Sequence, residues 1–236
     1  MGDLAANRLI VALDVPSLTD AHHLLDQLAP VVTWFKVGLE LFNTGGPAVI
    51  EAVKQRGAKV FYDSKFHDIP NTVAGAAAQA ARMGVDMFNL HASGGSEMMR
   101  SALQAASAAA GTRPRVIAVT VLTSLDQAAL DEQLGIKRPM VEQVVHLAQL
   151  AQQAGLDGVV ASPQEIAAIK QSCGKSFLVI APGVRPEWAA AGDQRRVMTP
   201  REAVTAGADY LVVGRPIIKA DDPADAARRV IEEMNT

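Results

Sequence analysis

The sequence is short of cysteine, of basic tracts and of long apolar runs, and each shortage argues against a class of protein. Cys173 is the only cysteine among 236 residues, so the chain can form neither an internal disulfide nor a thiolate cluster. We expect its thiol to be buried and inert, in a reducing compartment. The 22 Lys and Arg residues are scattered and the formal net charge is −3, which argues against a nucleic-acid partner.

The apolar runs are too short to span a membrane or to serve as a signal peptide. None approaches the roughly 18 residues of a membrane span. The first run, residues 9–15, is also too short for the apolar part of a signal peptide with its cleavage site. We therefore expect a cytoplasmic protein with no membrane partner.

What the chain does have is an alternation of short apolar runs with longer amphipathic segments. The runs are nearly continuous, which is typical of parallel strands buried on both faces. Segments such as PAVIEAVKQRG and MVEQVVHLAQLAQQAG have helical spacing and end in the Gly expected after a helix. The apolar runs span residues 9–15, 33–39, 58–64, 85–91, 115–121, 158–162, 177–183 and 210–214.

Eight strand and helix units in a chain of this length predict a (β/α)8 barrel. No linker or low-complexity segment divides the sequence, so we expect a single domain over residues 1–236. A doubly wound open sheet is the alternative, although no G-x-G-x-x-G follows the first run.

Polar side chains gather where the predicted strands end. In a barrel these ends meet at one face, and the loops that follow them build the active site. We therefore expect a polar rim at that face. Its candidate members are Asp14, Lys36, Asp63, Lys65, Asp68, His91, Thr120, Thr123, Ser162, Arg185 and Arg215.

The stretch FYDSKFHDIPNTV carries the densest cluster of these charges. Side chains alternate along a strand, so Asp63 and Lys65 would point into the barrel while Ser64 faces the helices. Lys36 would lie beside them at the end of the second strand. Buried charges must be paired, and alternating lysines and aspartates supply the partners. A purely structural ion-pair plug is the alternative, but Asp14 adds one more acid than such a plug needs.

The motif DSKFHDIPNT resembles the D-x-K-x-x-D-I-P-N-T signature of the orotidine 5'-phosphate decarboxylase family. The stretches LDVPS, FKVGLELF, TVLTS, APGVRP and VVGRPI resemble the same family in order and spacing, so the similarity covers essentially the whole chain. The motif D-x-K-x-x-D alone is less specific, since related phosphate-binding barrels such as 3-keto-gulonate-6-phosphate decarboxylase share it and use a metal ion.

The resemblance implies that Lys36, Asp63, Lys65 and Asp68 form a charged tetrad around the scissile carboxylate of orotidine 5'-monophosphate. Lys65 would donate a proton to C6 and give UMP, with no cofactor and no metal. The resemblance also implies a homodimer, in which Asp68 and Thr72 reach into the partner's site.

Further roles follow from the same resemblance. Asp14 would hold the ribose hydroxyls and Thr123 would contact the pyrimidine ring. The phosphate end would be held by Arg185, Gln194, Gly214 and Arg215. One departure is Ser64, where bacterial relatives usually carry Leu; we expect its hydroxyl to bond a backbone carbonyl and to affect local stability more than activity.

Residues 182–200 form a long segment with little helical periodicity, which predicts a lid over the phosphate site. Two other functions stay open. One is a metal-dependent sugar-phosphate decarboxylase or epimerase on the same barrel. The other is a catalytically silent nucleotide-binding barrel.

Overall fold

Eight parallel strands, hydrogen-bonded in chain order, close into a barrel. The computed structural model describes residues 5–109, 111–189 and 198–235. The first and last strands pair directly, with Leu9 opposite Leu211, so the sheet has no open edge. This confirms the (β/α)8 barrel and excludes the doubly wound sheet. The strands are β1 (Leu9–Ala12), β2 (Trp34–Val37), β3 (Lys59–Phe66), β4 (Met87–His91), β5 (Arg115–Val119), β6 (Gly158–Val160), β7 (Leu178–Pro182) and β8 (Tyr210–Val213).

Helices follow the strands and surround the barrel. Pro47, Pro70 and Pro200 each open a helix, a position where the missing N–H of proline costs nothing. Within the described residues, no helix combines the length and the apolar character needed to cross a bilayer. The helices are α1 (Leu18–Leu28), α2 (Leu39–Gly45), α3 (Pro47–Lys54), α4 (Pro70–Arg82), α5 (Gly95–Ala109), α6 (Gln127–Glu132), α7 (Met140–Gln153), α8 (Ile166–Cys173), α9 (Pro200–Ala206), α10 (Arg215–Ile218) and α11 (Pro223–Asn235).

Strand alternation divides the apolar side chains into two layers. Val60 and Tyr62 belong to the large layer between strands and helices, whereas Phe61 belongs to a small cluster inside the barrel. This is the alternation expected for a strand buried on both faces. The interior cluster fills the barrel below the charged residues, and it is formed by Ile10, Ala12, Trp34, Phe61, Met87, Ile117, Ile180 and Val212.

Strand β3 is irregular where it carries the charged motif. Its pairing with β4 shifts register between Tyr62 and Phe66, and the strand continues to Phe66 rather than ending at residue 64 as predicted. Lys65 lies in this bulge with φ of +48°, a left-handed conformation that is uncommon for a residue with a side chain. Such a conformation costs about 1 to 3 kcal/mol and persists only where surrounding contacts impose it.

A repeated aspartate joins the strands in pairs at the opposite end of the barrel. Asp86, Asp157 and Asp209 each directly precede an even-numbered strand. Each donates its backbone N–H to the carbonyl of the second residue of the preceding odd strand and accepts that residue's N–H on its carboxylate. A nearby cation completes each unit. The three sets are Asp86 with Val60 and Lys54, Asp157 with Val116 and Arg113, and Asp209 with Val179 and Lys170.

Candidate active site

Four charged side chains form a row at the carboxyl ends of the first three strands. The ammonium Nζ of Lys36 lies 2.9 Å from Oδ1 of Asp14 and 3.4 Å from Oδ2 of Asp63. The ammonium Nζ of Lys65 lies 2.6 Å from Oδ1 of Asp63. The structure therefore brings together the four residues in the order Asp14, Lys36, Asp63, Lys65, with each lysine in contact with Asp63.

Asp63 is the centre of this row and is held ionised. Burial raises the pKa of its carboxyl, but Lys36, Lys65 and hydrogen bonds from Lys65 and Asn89 outweigh burial and bring the pKa below its ordinary value. The side chain is only 13% exposed. A buried carboxylate so placed stays charged at neutral pH because its neighbours are cations and donors.

Asn89 completes the site and is not among the residues predicted from the sequence. Its side-chain amide donates to Oδ1 of Asp63 at 2.7 Å, and its side-chain oxygen accepts the backbone N–H of Lys65 at 2.7 Å. The available signal was an amide inside the apolar run VDMFNLH, two residues after Met87, which faces the barrel interior.

Two glycines allow the charged side chains to approach the backbone. A Cβ on Gly38 would lie 2.9 Å from Nζ of Lys36 and 3.5 Å from Oδ1 of Asp14. A Cβ on Gly214 would lie 3.5 Å from Oδ2 of Asp14. The lack of a side chain at Gly38 therefore leaves room for the ion pair between Lys36 and Asp14.

Two adjoining cavities meet at Lys36 and Asp63. One, of about 240 Å³, is charged, and its lining includes Asp14, Gly183, Arg185, Gly214 and Arg215. The other, of about 160 Å³, is mainly apolar, and its lining includes Phe61, Lys65, Val119, Leu122, Thr123 and Val160. A ligand with a charged end and a flat, weakly polar end fits this division.

Asp68 and Thr72 lie outside the row of charges. Both are exposed, and Oδ1 of Asp68 accepts the N–H of the next residue, Ile69, at 2.6 Å. The ion pairs of the described residues include none to Asp68. Helix α4 begins at Pro70, two residues after Asp68, so Asp68 stands at the rim and does not complete the tetrad within its own chain.

The loop after β7 is joined at its two ends. Val184 and Met198 form an isolated parallel bridge, and the N–H of Arg185 donates to the carbonyl of Met198 at 3.0 Å. This bond holds Arg185 at the wall of the charged cavity. The predicted phosphate contact Gln194, with the middle of the predicted lid, lies outside the described residues.

Ser64 and Cys173 behave as predicted. The Ser64 hydroxyl is buried and donates to the backbone carbonyl of Asn89 at 2.7 Å, so it joins β3 to β4. The Cys173 thiol is buried, and burial raises its pKa, which keeps it protonated and unreactive.

His91 lies at the end of β4, with its ring centroid 5.4 Å from that of His67. Burial, followed by the nearby His67 and Lys65, lowers the pKa of His91. The ring therefore stays neutral at neutral pH, beside the charged row.

Comparison with known proteins identifies the family of the chain. The model of the "Orotidine 5'-phosphate decarboxylase / HUMPS family" matches residues 7–230. The chain belongs to this family. The resemblance drawn from the motifs is thereby confirmed, as is the prediction that the protein is an enzyme.

Relatives in the orotidine 5'-phosphate decarboxylase family align over nearly the full chain. The orotidine 5'-phosphate decarboxylase of Moorella thermoacetica is 56% identical over 98% of this chain and 93% of its own length. That of Trichlorobacter lovleyi is 54% identical over 98% and 97%. The crystal structure of the orotidine 5'-phosphate decarboxylase from Lactobacillus acidophilus has a TM-score of 0.87 and 37% identity, and the match covers 98% of this chain and all of the other.

Proposed function

We propose that this enzyme removes carbon dioxide from orotidine 5'-monophosphate and releases UMP, the last step of de novo pyrimidine synthesis. The observation that carries the proposal is the row Asp14, Lys36, Asp63, Lys65, placed where the charged and apolar cavities meet. Its relatives bear the name of this activity.

The two cavities suit the two ends of the nucleotide. The phosphate would occupy the charged cavity, where Arg185, Gly214 and Arg215 line the wall. The pyrimidine would occupy the apolar cavity beside Thr123. The ribose would then lie near Asp14, whose side chain is 53% exposed and can accept from hydroxyl groups.

In this pose the C6 carboxylate lies against Asp63 and Lys65. The bond between C6 and the carboxylate breaks, the electron pair stays on C6 and carbon dioxide leaves. The Lys65 ammonium stabilises the growing negative charge at C6 and then transfers a proton to it. The neutral amine regains a proton from solvent, so the enzyme returns to its starting state without a cofactor.

Asp63 contributes in two ways. Its ionised carboxylate holds the Lys65 ammonium at 2.6 Å, and it places negative charge beside a substrate carboxylate that becomes neutral as it leaves. We assign the larger share to positioning, because fixed charges need no rearrangement during the reaction. Enzymes at the upper end of catalysis supply about 20 kcal/mol of transition-state stabilisation, so binding of the phosphate and ribose must also contribute.

The proposed active enzyme is a homodimer with shared sites. Asp68 is exposed and makes no ion pair with the lysines of its own chain among the described residues. Its carboxylate and the hydroxyl of Thr72 would enter the partner's site and supply the fourth member of the tetrad. Pro70 supports this direction, since it fixes the start of α4 two residues after Asp68.

A metal-dependent sugar-phosphate decarboxylase or epimerase is the competing activity. Such an enzyme needs carboxylate oxygens free to bind a divalent cation. Here Oδ1 of Asp63 already accepts from Lys65 and Asn89, and Oδ2 faces Lys36, which favours the metal-independent reaction.

A spectrophotometric assay separates the candidates. We expect the purified enzyme to consume orotidine 5'-monophosphate at the same rate with and without EDTA. Loss of turnover in EDTA, restored by Mg²⁺, would favour the metal-dependent activity. UMP binding without any turnover would favour a silent nucleotide-binding barrel.

A further inference from the structure

Lys65 contacts Asp63, but the backbone of Lys65 does not have ordinary strand conformation. The register of β3 shifts around it, and its φ of +48° is the only positive value outside glycine among the described residues. Something must hold this bulge, since a left-handed residue with a side chain relaxes unless neighbouring contacts prevent it.

The contact that does so comes from β4. The side-chain oxygen of Asn89 accepts the N–H of Lys65 at 2.7 Å, and its amide donates to Oδ1 of Asp63 at 2.7 Å. The orientation of the amide follows from its partners, because a backbone N–H can only donate and an ionised carboxylate can only accept. Asn89 is 1% exposed, so no water competes for these bonds.

One side chain thus fixes both members of the reacting pair. It sets the backbone from which the Lys65 side chain extends, and it occupies the same oxygen, Oδ1 of Asp63, that the Lys65 ammonium contacts at 2.6 Å. A carboxylate with one oxygen bonded to both groups has little freedom to rotate. Asn89 therefore fixes Lys65 both at its backbone and, through Asp63, at its ammonium group.

We propose that Asn89 is a positioning residue that holds Lys65 and Asp63 in the geometry needed for proton transfer to C6. The assignment rests on the proposed decarboxylation. Asn89 acts through Lys65 and Asp63, so we expect its substitution to reduce turnover far more than nucleotide affinity.

The test uses three variants of the whole enzyme. Asn89→Leu keeps the approximate shape and removes both hydrogen bonds. Asn89→Asp keeps an acceptor for the Lys65 N–H but places a second carboxyl against Asp63. Ser64→Ala is the matched control, because it removes another side-chain hydrogen bond between the same two strands, one that ends on a backbone carbonyl. The measurements are kcat, KM, UMP affinity, melting temperature and the pH dependence of kcat.

We expect Asn89→Leu to lower kcat about 100-fold, the scale of a displacement of a catalytic group by about 1 Å. UMP affinity should change little, and Ser64→Ala should keep kcat even if its melting temperature falls as much. In Asn89→Asp the two carboxyls must share a proton, so kcat should fall as pH rises and that proton is lost. The wild-type amide has no such proton, and a merely structural role would create no new pH dependence.

Different results would contradict the proposed function and the proposed role of Asn89. If the wild-type enzyme does not act on orotidine 5'-monophosphate, the proposed function fails and this role of Asn89 falls with it. If the wild type is active but Asn89→Leu and Ser64→Ala lose the same share of kcat, and Asn89→Asp keeps the wild-type pH profile, only the role of Asn89 is overturned. Should Asn89→Leu not fold, the pH profile of Asn89→Asp decides alone.

Discussion

At the scale of single residues, the proposed reaction makes the Lys65 ammonium the proton donor to C6. We expect Lys65→Ala to lower kcat by at least about 100-fold, the lower end of what a positioned general acid contributes. UMP affinity should survive, because Arg185 and Arg215 line a different cavity and Asp63 keeps Lys36 as its partner. Steady-state kinetics and calorimetry of UMP binding check both halves. Near-normal turnover would remove Lys65 from the role of proton donor.

His91 is expected to make the stability of the protein depend on pH. Its pKa is lowered in the folded state, chiefly by burial, from the ordinary 6.5. Between these two values the unfolded chain binds a proton that the folded chain resists, so stability contributed by neutral His91 is present above about pH 6.5 and is lost as pH falls toward the folded pKa.

We therefore expect His91→Gln to weaken the loss of stability on acidification. The free energy of unfolding, measured in urea at fixed protein concentration, should fall less between about pH 7.5 and 5.5 than in the wild type. His146→Gln, on α7, is the control, since its ring takes no part in the contact between His67 and His91. Parallel pH profiles for wild type and His91→Gln would contradict the prediction.

At the scale of elements, the repeated aspartates hold neighbouring strands together at the end of the barrel away from the site. The Asp157 carboxylate accepts the N–H of Val116 at 2.7 Å and binds Arg113 through both oxygens, at 2.7 and 2.6 Å. The Arg113 side chain is 40% exposed, so the ion pair adds little, whereas an unsatisfied Val116 N–H costs about 1 to 3 kcal/mol.

We expect Asp157→Ala to lower the free energy of unfolding by about 2 kcal/mol, mostly from the lost bond to the Val116 N–H. Asp157→Asn keeps an acceptor and should cost roughly half as much. Urea unfolding measures both, and kcat should stay unchanged because the residue lies before β6 and not after it. Equal losses in the two variants would show that charge and not the backbone bond dominates.

At the scale of elements, the positions of the strands could be predicted from the sequence better than their ends and irregularities. The apolar runs predict all eight strands, and β5 and β8 begin at Arg115 and Tyr210 as predicted. Six predicted strand ends lie too late, as in β1, which ends at Ala12, because the apolar pattern continues after the last ladder bond, whereas β3 extends beyond its predicted end. The bulge at Lys65 and the bonds of Asn89 were missed, since they join β3 to β4 across 24 to 26 residues and leave no local periodicity.

At the scale of the whole molecule, the proposed tetrad would need a second chain to supply Asp68. Within one chain the row ends at Lys65, Asp68 stands exposed at the rim, and Thr72 is exposed in the first turn of α4. Exposed carboxylates are common on protein surfaces, but Asp68 belongs to the same motif as Asp63 and Lys65. A shared site would place a second negative charge on the far side of the Lys65 ammonium and fix it between two carboxylates.

Subunit mixing tests this arrangement directly. Lys65→Ala and Asp68→Ala enzymes should each be nearly inactive. In a mixed dimer one site receives Lys65 from its own chain and Asp68 from the partner, whereas the other site lacks both. Each heterodimer should therefore have about half the activity of the wild-type dimer, and a freely exchanged equal mixture about a quarter, by the statistics of isologous pairing. If isolated heterodimers, verified by mass, are no more active than the parent variants, Asp68 serves its own subunit and the shared site is excluded.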